Sequence, residues 1–147
     1  MGRHKLKRFA ENAVAYNVIE DGKPNWLTIK GAWAAHFGNN NPIVVELGCG
    51  RGEYSVGLGA AYPHKNFIGT DIKGSRIWKG SKQAIDQNLP NIAFLRTHIQ
   101  NLDQFFAPQE INEIWITFPD PRPKGRDERR RLTHIRFLEM YYELMQL

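Results

Sequence analysis

Apolar residues along the chain fall into short β-branched runs that alternate with longer stretches of helical period. The first run, Ile43–Leu47 (IVVEL), is uninterrupted and lies between the breaker Gly38–Pro42 and a glycine turn, Gly48–Gly52. That pattern predicts a strand buried on both faces. Glu53–Tyr62 then reads as a helix stopped by Pro63, and Asn66–Ile72 as a second strand. A helix is predicted over Gly74–Asn88 with Ile77, Trp78 and Ile85 inward, and a third strand over Asn91–Arg96. A short helix over Asn101–Phe106 carries Leu102, Phe105 and Phe106, and Glu113–Phe118 is the fourth strand. Pro119–Arg131 reads as a polar, basic loop. Leu132–Leu147 reads as a final helix with Ile135, Leu138, Met140, Tyr142 and Leu144 at mixed helical spacing.

Strands that alternate with helices predict an α/β fold with a doubly wound, mostly parallel sheet covered on both faces. Ligands of such sheets bind at the carboxyl ends of the strands, near the point where strand order reverses. Residues 1–41 stand apart as a basic arm, an irregular stretch (DGKPNW) and a short helix near Gly31–Phe37; residues 42–147 form the regular domain.

The chain has 147 residues, enough for one compact domain, and its 12% aromatic content excludes disorder throughout. A single cysteine excludes a disulfide scaffold and suits a reducing compartment. No apolar stretch approaches the roughly 20 residues of a membrane helix. The start, MGRHKLKRFAEN, lacks the apolar segment of a secretory signal. A cytoplasmic protein is expected, with no metal and no membrane partner. The net charge of +5 is concentrated: Arg3, Lys5, Lys7 and Arg8, with Arg122, Lys124, Arg126, Arg129, Arg130, Arg131 and Arg136, make up 11 of the 20 cationic side chains. The middle of the chain is close to neutral. Two basic clusters suit a polyanionic partner, because neutralising phosphates releases counterions. Two solvated loops are the bland alternative.

The turn Glu46-Leu47-Gly48-Cys49-Gly50-Arg51-Gly52 follows a strand and opens a helix. Its glycines permit a tight turn and close approach of a ligand to the backbone. Asp71 ends the next strand, 19 residues after Gly52, where a carboxylate accepts hydrogen bonds from ribose hydroxyls. Glu46 beside the turn would repel a pyrophosphate, which weighs against a nicotinamide cofactor. It suits a cationic ligand such as S-adenosylmethionine, with its ammonium and sulfonium. Cys49 reads as a small packing residue. His98, after the third strand, is either a structural histidine or a contact on the adenine side. At the end of the fourth strand, Thr117-Phe118-Pro119-Asp120-Pro121-Arg122-Pro123-Lys124 sets an aspartate between two prolines. The prolines fix φ and remove donors, giving a stiff loop that aims the carboxylate across the strand ends. A rigid acid that leads into an arginine run suits a site that takes a nucleobase while cations hold its phosphates.

The segments ELGCGRGEY, IGTDIKGSR and ITFPDPRPKGRDERRRLTHIRFLE, together with the start GRHKLKRFAEN, resemble the bacterial tRNA (guanine-N(7)-)-methyltransferase family over essentially the whole chain. The resemblance implies the Rossmann-like methyltransferase variant of the doubly wound sheet. It implies methyl transfer from S-adenosylmethionine to a guanosine in the tRNA variable loop. It places cofactor contacts at Glu46, Gly48, Gly50, Gly52, Asp71, His98 and Ile99. It makes Asp120 the catalytic acid at the cofactor, and Arg122, Lys124, Arg129, Arg130 and Arg131 substrate contacts. His98 stands where the family usually has an acid, and Arg122 where it usually has Trp. The family's chains continue well past Leu147, so a C-terminally truncated member is expected. The fourth strand is then an apolar edge that favours self-association or a covering partner. A truncated domain that binds RNA or S-adenosylmethionine without transfer is the competing class.

Overall fold

The computed structural model describes residues 2–117, 125 and 131–146. Five parallel strands, β1 (Val18–Ile19), β2 (Ile43–Leu47), β3 (Asn66–Asp71), β4 (Ile92–Arg96) and β5 (Glu113–Ile116), form one sheet in the order β1-β4-β3-β2-β5. The order reverses at β2, which pairs with β3 on one side and β5 on the other, so the switch point lies at the end of β2. All of β2 and β3 is buried, which explains the continuous apolar run of β2.

Helices α1 (Arg3–Val14), α2 (Trp33–Phe37), α3 (Glu53–Ala61), α4 (Gly74–Asp86) and α5 (Ile135–Leu144) complete the fold with 3-10 turns at Pro24–Leu27 and Ile99–Gln104. Alternate strand residues feed two cores. Val45, Leu47, Ile68, Ala93 and Leu95 meet Trp33, Phe106, Phe137 and Tyr141 on one face. Val18, Ile92 and Phe94 meet Val56, Ile77 and Ala84 on the other. The larger core is aromatic: Trp33 stacks on Phe106 with ring centroids 5.2 Å apart and donates its indole N–H to the Phe105 carbonyl at 2.8 Å. That bond removes the cost of burying the indole nitrogen.

The first 41 residues are more ordered than the sequence suggests. The basic arm is helix α1, and Val18–Ile19 add a strand beside β4. Two residues carry no periodic signal, and this strand exists because Phe94 N–H and its neighbours offer it a ladder. Inward positions also differ. Ile85 lies on the solvent side, 38% exposed, because α4 buries Gly74, Ile77, Gly80, Ser81 and Ala84 instead. In α5 the buried set is Phe137, Tyr141 and Leu144, spaced four and three residues apart, while Ile135, Leu138 and Tyr142 are exposed. The Asn101–Phe106 helix is a 3-10 turn that starts at Ile99. β5 stands at the sheet edge with Trp115 41% exposed.

Candidate functional site

Glu46 points from β2, between β3 and β5 in the sheet, into the space between α3 and the end of β5. Ser55 Oγ donates to its Oε1 at 2.8 Å, and Thr117 Oγ1 donates to its Oε2 at 2.6 Å. Its main chain is fixed as well, since Thr70 Oγ1 donates to its carbonyl at 2.9 Å. The side chain is 5% exposed and has no cation in ion-pair range among the described residues. A carboxylate with two oxygens has about four acceptor sites, and two hydroxyls occupy half of them. A buried carboxylate without a counter-charge is costly, so this one is suited to a cationic ligand.

The glycine turn closes over β3. Gly50 N–H donates to Asp71 Oδ2 at 2.9 Å, and Lys73 N–H to Asp71 Oδ1 at 2.9 Å. Asp71 therefore ties the turn to the start of α4 and keeps acceptor capacity on both oxygens. Gly48 and Gly50 adopt φ of +65° and +58°, and open space lies where a Cβ would project from either. Gly52, at φ +75°, faces the opposite way: a Cβ there would meet Phe94 Cε1 at 2.6 Å and Gly80 Cα at 3.3 Å. The first two glycines leave a cradle, and the third lets the turn press against α4 and β4. Cys49 lies between them, buried, and burial with the nearby Asp71 and Glu46 carboxylates raises its thiol well above the usual range. The thiol stays protonated at neutral pH and is a packing group.

Beyond Asp71, a cleft of about 420 Å³ is lined by Ile72, Thr97, His98, Glu20, Asp21 and Trp26 among others. His98 is exposed on its rim and precedes the 3-10 turn, whereas the Ile99 side chain packs against the larger core. Ile99 itself is not among the residues that line the cleft; His98 and Asn101 on either side of it are. Arg96 shapes the wall: it donates from Nε to the Ile72 carbonyl at 3.0 Å and pairs with Glu20 at 3.6 Å. The sequence reading of Glu46, Gly48, Gly50, Asp71 and His98 thus falls on residues that converge at the carboxyl ends of β2, β3 and β4. Asp120, Arg122, Lys124, Arg129 and Arg130 lie outside the described residues, and Arg131 sits half-buried just before α5.

Sequence reasoning passed over Ser55, Thr117 and the Glu20–Trp26 wall. Ser55 and Thr117 are ordinary hydroxyls in a helix turn and at a strand end, and only the fold shows them meeting on Glu46. Glu20 and Asp21 follow a strand too short to read. Among the described residues no group of His, Cys, Asp and Glu is placed to hold a metal, and no helix is long and apolar enough to cross a membrane.

This strand order, with a glycine turn at the switch point and acids on both sides, is the Rossmann-like methyltransferase arrangement. The fold matches the 16S rRNA (adenine(1408)-N(1))-methyltransferase of Catenulisporales acidiphilia with a TM-score of 0.65 at 16% identity, over 90% of this chain and 58% of that one. A family model described as "Putative methyltransferase" matches residues 40–147, and the chain belongs to this methyltransferase family. The tRNA (guanine-N(7)-)-methyltransferase of Cytophaga hutchinsonii is 48% identical over 145 residues, which is 99% of this chain and 66% of that protein. The protein of the same name from Bacteroides thetaiotaomicron is 46% identical over 153 residues, 99% of this chain and 59% of that one. The chain spans about three-fifths to two-thirds of the length of these relatives.

Proposed function

We propose that this protein binds S-adenosylmethionine at the carboxyl ends of β2, β3 and β4, and directs methyl transfer to N-7 of a guanosine in the tRNA variable loop. The observation that carries the reading is Glu46, a buried carboxylate held by two hydroxyls beside a glycine cradle, with no cationic partner among the described residues. The name shared by the curated relatives supports the choice of nucleobase and RNA.

When bound, S-adenosylmethionine supplies an electrophilic methyl carbon on a sulfonium. Glu46 would accept the ligand's ammonium. Gly48 and Gly50 let the backbone come close, and Asp71 has acceptor positions left for the ribose hydroxyls. His98 would border the adenine side. Guanine N-7 has a free lone pair and no proton, so no residue of this chain has to act as a general base. The chain's task is to hold nitrogen, methyl and sulfur in line. Asp120, which lies between Pro119 and Pro121 in the sequence, would stabilise the positive charge that grows on the guanine. Arg122 and Lys124 would steady the nucleotide, while Arg129, Arg130 and Arg131 meet phosphates. This assignment sets the protein in the cytoplasm with tRNA as its partner.

The test is transfer of labelled methyl to unmodified tRNA followed by nucleoside analysis. Seven-methylguanosine is the expected product; another methylated nucleoside rejects the assignment, and no product alongside tight cofactor binding leaves a binding domain. Asp120→Ala is expected to lower turnover by about 100-fold, the size of losing one preorganised electrostatic contact. Its affinity for S-adenosylhomocysteine should stay nearly unchanged. Equal losses in both quantities would remove Asp120 from the transfer step.

A further inference from the structure

Helices α1 and α4 pack against each other, and this packing brings together cations that lie about 70 residues apart in sequence. Asn12 Nδ2 donates to the Gly74 carbonyl at 2.8 Å, and just beyond α1 Asn17 Nδ2 donates to the Ser81 carbonyl at 3.1 Å; both bonds are buried. Between them the Trp78 indole donates to Glu11 and gathers charge from both helices, with Arg8 4.7 Å and Lys82 5.5 Å from its ring. Arg3, Lys5 and Lys7 are exposed on α1; Lys73, at the cap of α4, and Arg76, Lys79 and Lys82 along it recur every third residue and are exposed too. With Arg8 this makes eight cations, against two carboxylates in the same segments, Glu11 and Asp86. Glu11 is already engaged by Trp78.

The ion pairs found among the described residues, Lys65–Glu113 and Arg96–Glu20, include none of these eight. Like charges crowded on two packed helices repel, and a polyanion relieves that repulsion while releasing its counterions. The series from Lys73 to Lys82 climbs about 13 Å along the helix axis at 1.5 Å per residue and winds as it goes, so that Arg76, Lys79 and Lys82 share the solvent side over about 120°. It starts two residues after Asp71, so it leads away from the cofactor end of the sheet. An anionic membrane would ask for a row of large apolar side chains beside the cations. The exposed positions of α4 are Arg76, Lys79, Lys82, Gln83, Ile85 and Asp86, and α1 adds exposed Leu6 and, at its far end, Val14, three scattered large apolar side chains rather than a row.

We propose that α1 and α4 form one docking surface for an RNA phosphate backbone, distinct from the arginine run after the Pro-Asp-Pro loop. The identity of that RNA as tRNA rests on the functional reading above; the surface itself rests on the packing of α1 and α4.

The experiment measures binding of the full chain to unmodified tRNA across a series of salt concentrations. It compares the original protein with a triple variant, Arg76→Gln with Lys79→Gln and Lys82→Gln, and with Lys5→Gln plus Lys7→Gln. All five positions are exposed, so S-adenosylhomocysteine affinity should not move, and the melting temperature should fall by at most a few degrees, from the loss of the Lys82 contact with the Trp78 ring, worth about 0.5–1 kcal/mol. The triple variant is expected to bind tRNA at least 10-fold more weakly at low salt. Its slope of log affinity against log salt should be shallower by about two to three, near one for each phosphate that is no longer neutralised. The α1 variant should lose affinity in the same direction. Unchanged affinity and slope in both variants overturn the surface, as does an original protein that binds no tRNA. So does a loss confined to phosphatidylserine vesicles while tRNA binding persists. If the original protein makes 7-methylguanosine and the variants bind tRNA equally well, only the surface fails. If the variants lose tRNA binding but the original makes no 7-methylguanosine, only the functional reading fails.

Discussion

Glu46→Gln is expected to weaken S-adenosylhomocysteine binding by roughly 10- to 150-fold, and to leave 5′-methylthioadenosine binding almost unchanged. Glu46 lies beside the glycine turn, buried and held by two hydroxyls, Ser55 at 2.8 Å and Thr117 at 2.6 Å. Glutamine keeps the shape and one acceptor oxygen, so the fold should survive. What it loses is the charge that would meet the ligand's ammonium. A hydrogen bond to a charged group contributes about 1.5–3 kcal/mol net, which sets the fold-change. Methylthioadenosine has the nucleoside but no amino acid, so it reports on the Asp71 and His98 end alone. Calorimetric titration of both ligands separates the cases. An equal loss for both ligands would mean that the substitution disturbs the whole site, and no loss for either would remove Glu46 from ligand binding.

The second large effect falls on stability. Gly52→Ala should lower it by about 2–5 kcal/mol, from about 1–2 for a side chain in the left-handed region and about 1–3 for overpacking. At a few degrees per kcal/mol for a domain of this size, the melting temperature should fall by roughly 5–20 °C. The cause is local: the added methyl would sit 2.6 Å from Phe94 Cε1 and 3.3 Å from Gly80 Cα, in the seam where α4 meets β4. Phe94 is fully buried and has no room to turn away. Gly50→Ala is the counterpart. Its φ is also positive, but its Cβ would enter open space, so it should cost only the backbone strain, about 1–2 kcal/mol, while its methyl group fills the ligand cradle. Thermal melts and ligand titrations of the two variants should therefore diverge: Gly52→Ala loses stability and Gly50→Ala loses binding. If Gly50→Ala melts as early as Gly52→Ala, the division of roles within the turn is wrong.

The same pair of glycines shows how sequence and structure share the information. Gly-x-Gly-x-Gly after an apolar strand announces a ligand turn, but spacing cannot tell a glycine that makes room for a ligand from one that makes room for Phe94. The approach of Phe94 depends on β4, which lies about 40 residues further along the chain. In α5, the amphipathic signal is present, but Phe137 and Tyr141 rather than Leu138 and Tyr142 turn inward. Apolar residues occupy enough positions of that helix to serve on either side, and the neighbouring core decides the rotation.

Four of the five strands, the helices that connect them, and the turn and acids at their carboxyl ends are legible in the order of residues alone. Those features follow from local chemistry: β-branched runs, helical periodicity, glycine and proline punctuation, and carboxylates at fixed distances from a strand end. Folding was needed to create the strand Val18–Ile19, the hydroxyl partners of Glu46, the wall formed by Glu20, Asp21 and Trp26, and the basic surface shared by α1 and α4. Each of these depends on residues far apart in the chain. Lys73, Arg76, Lys79 and Lys82 look like part of a neutral stretch when charge is counted along the sequence. They become a cationic face because a helix turns its neutral residues inward and the first helix adds its own cations alongside.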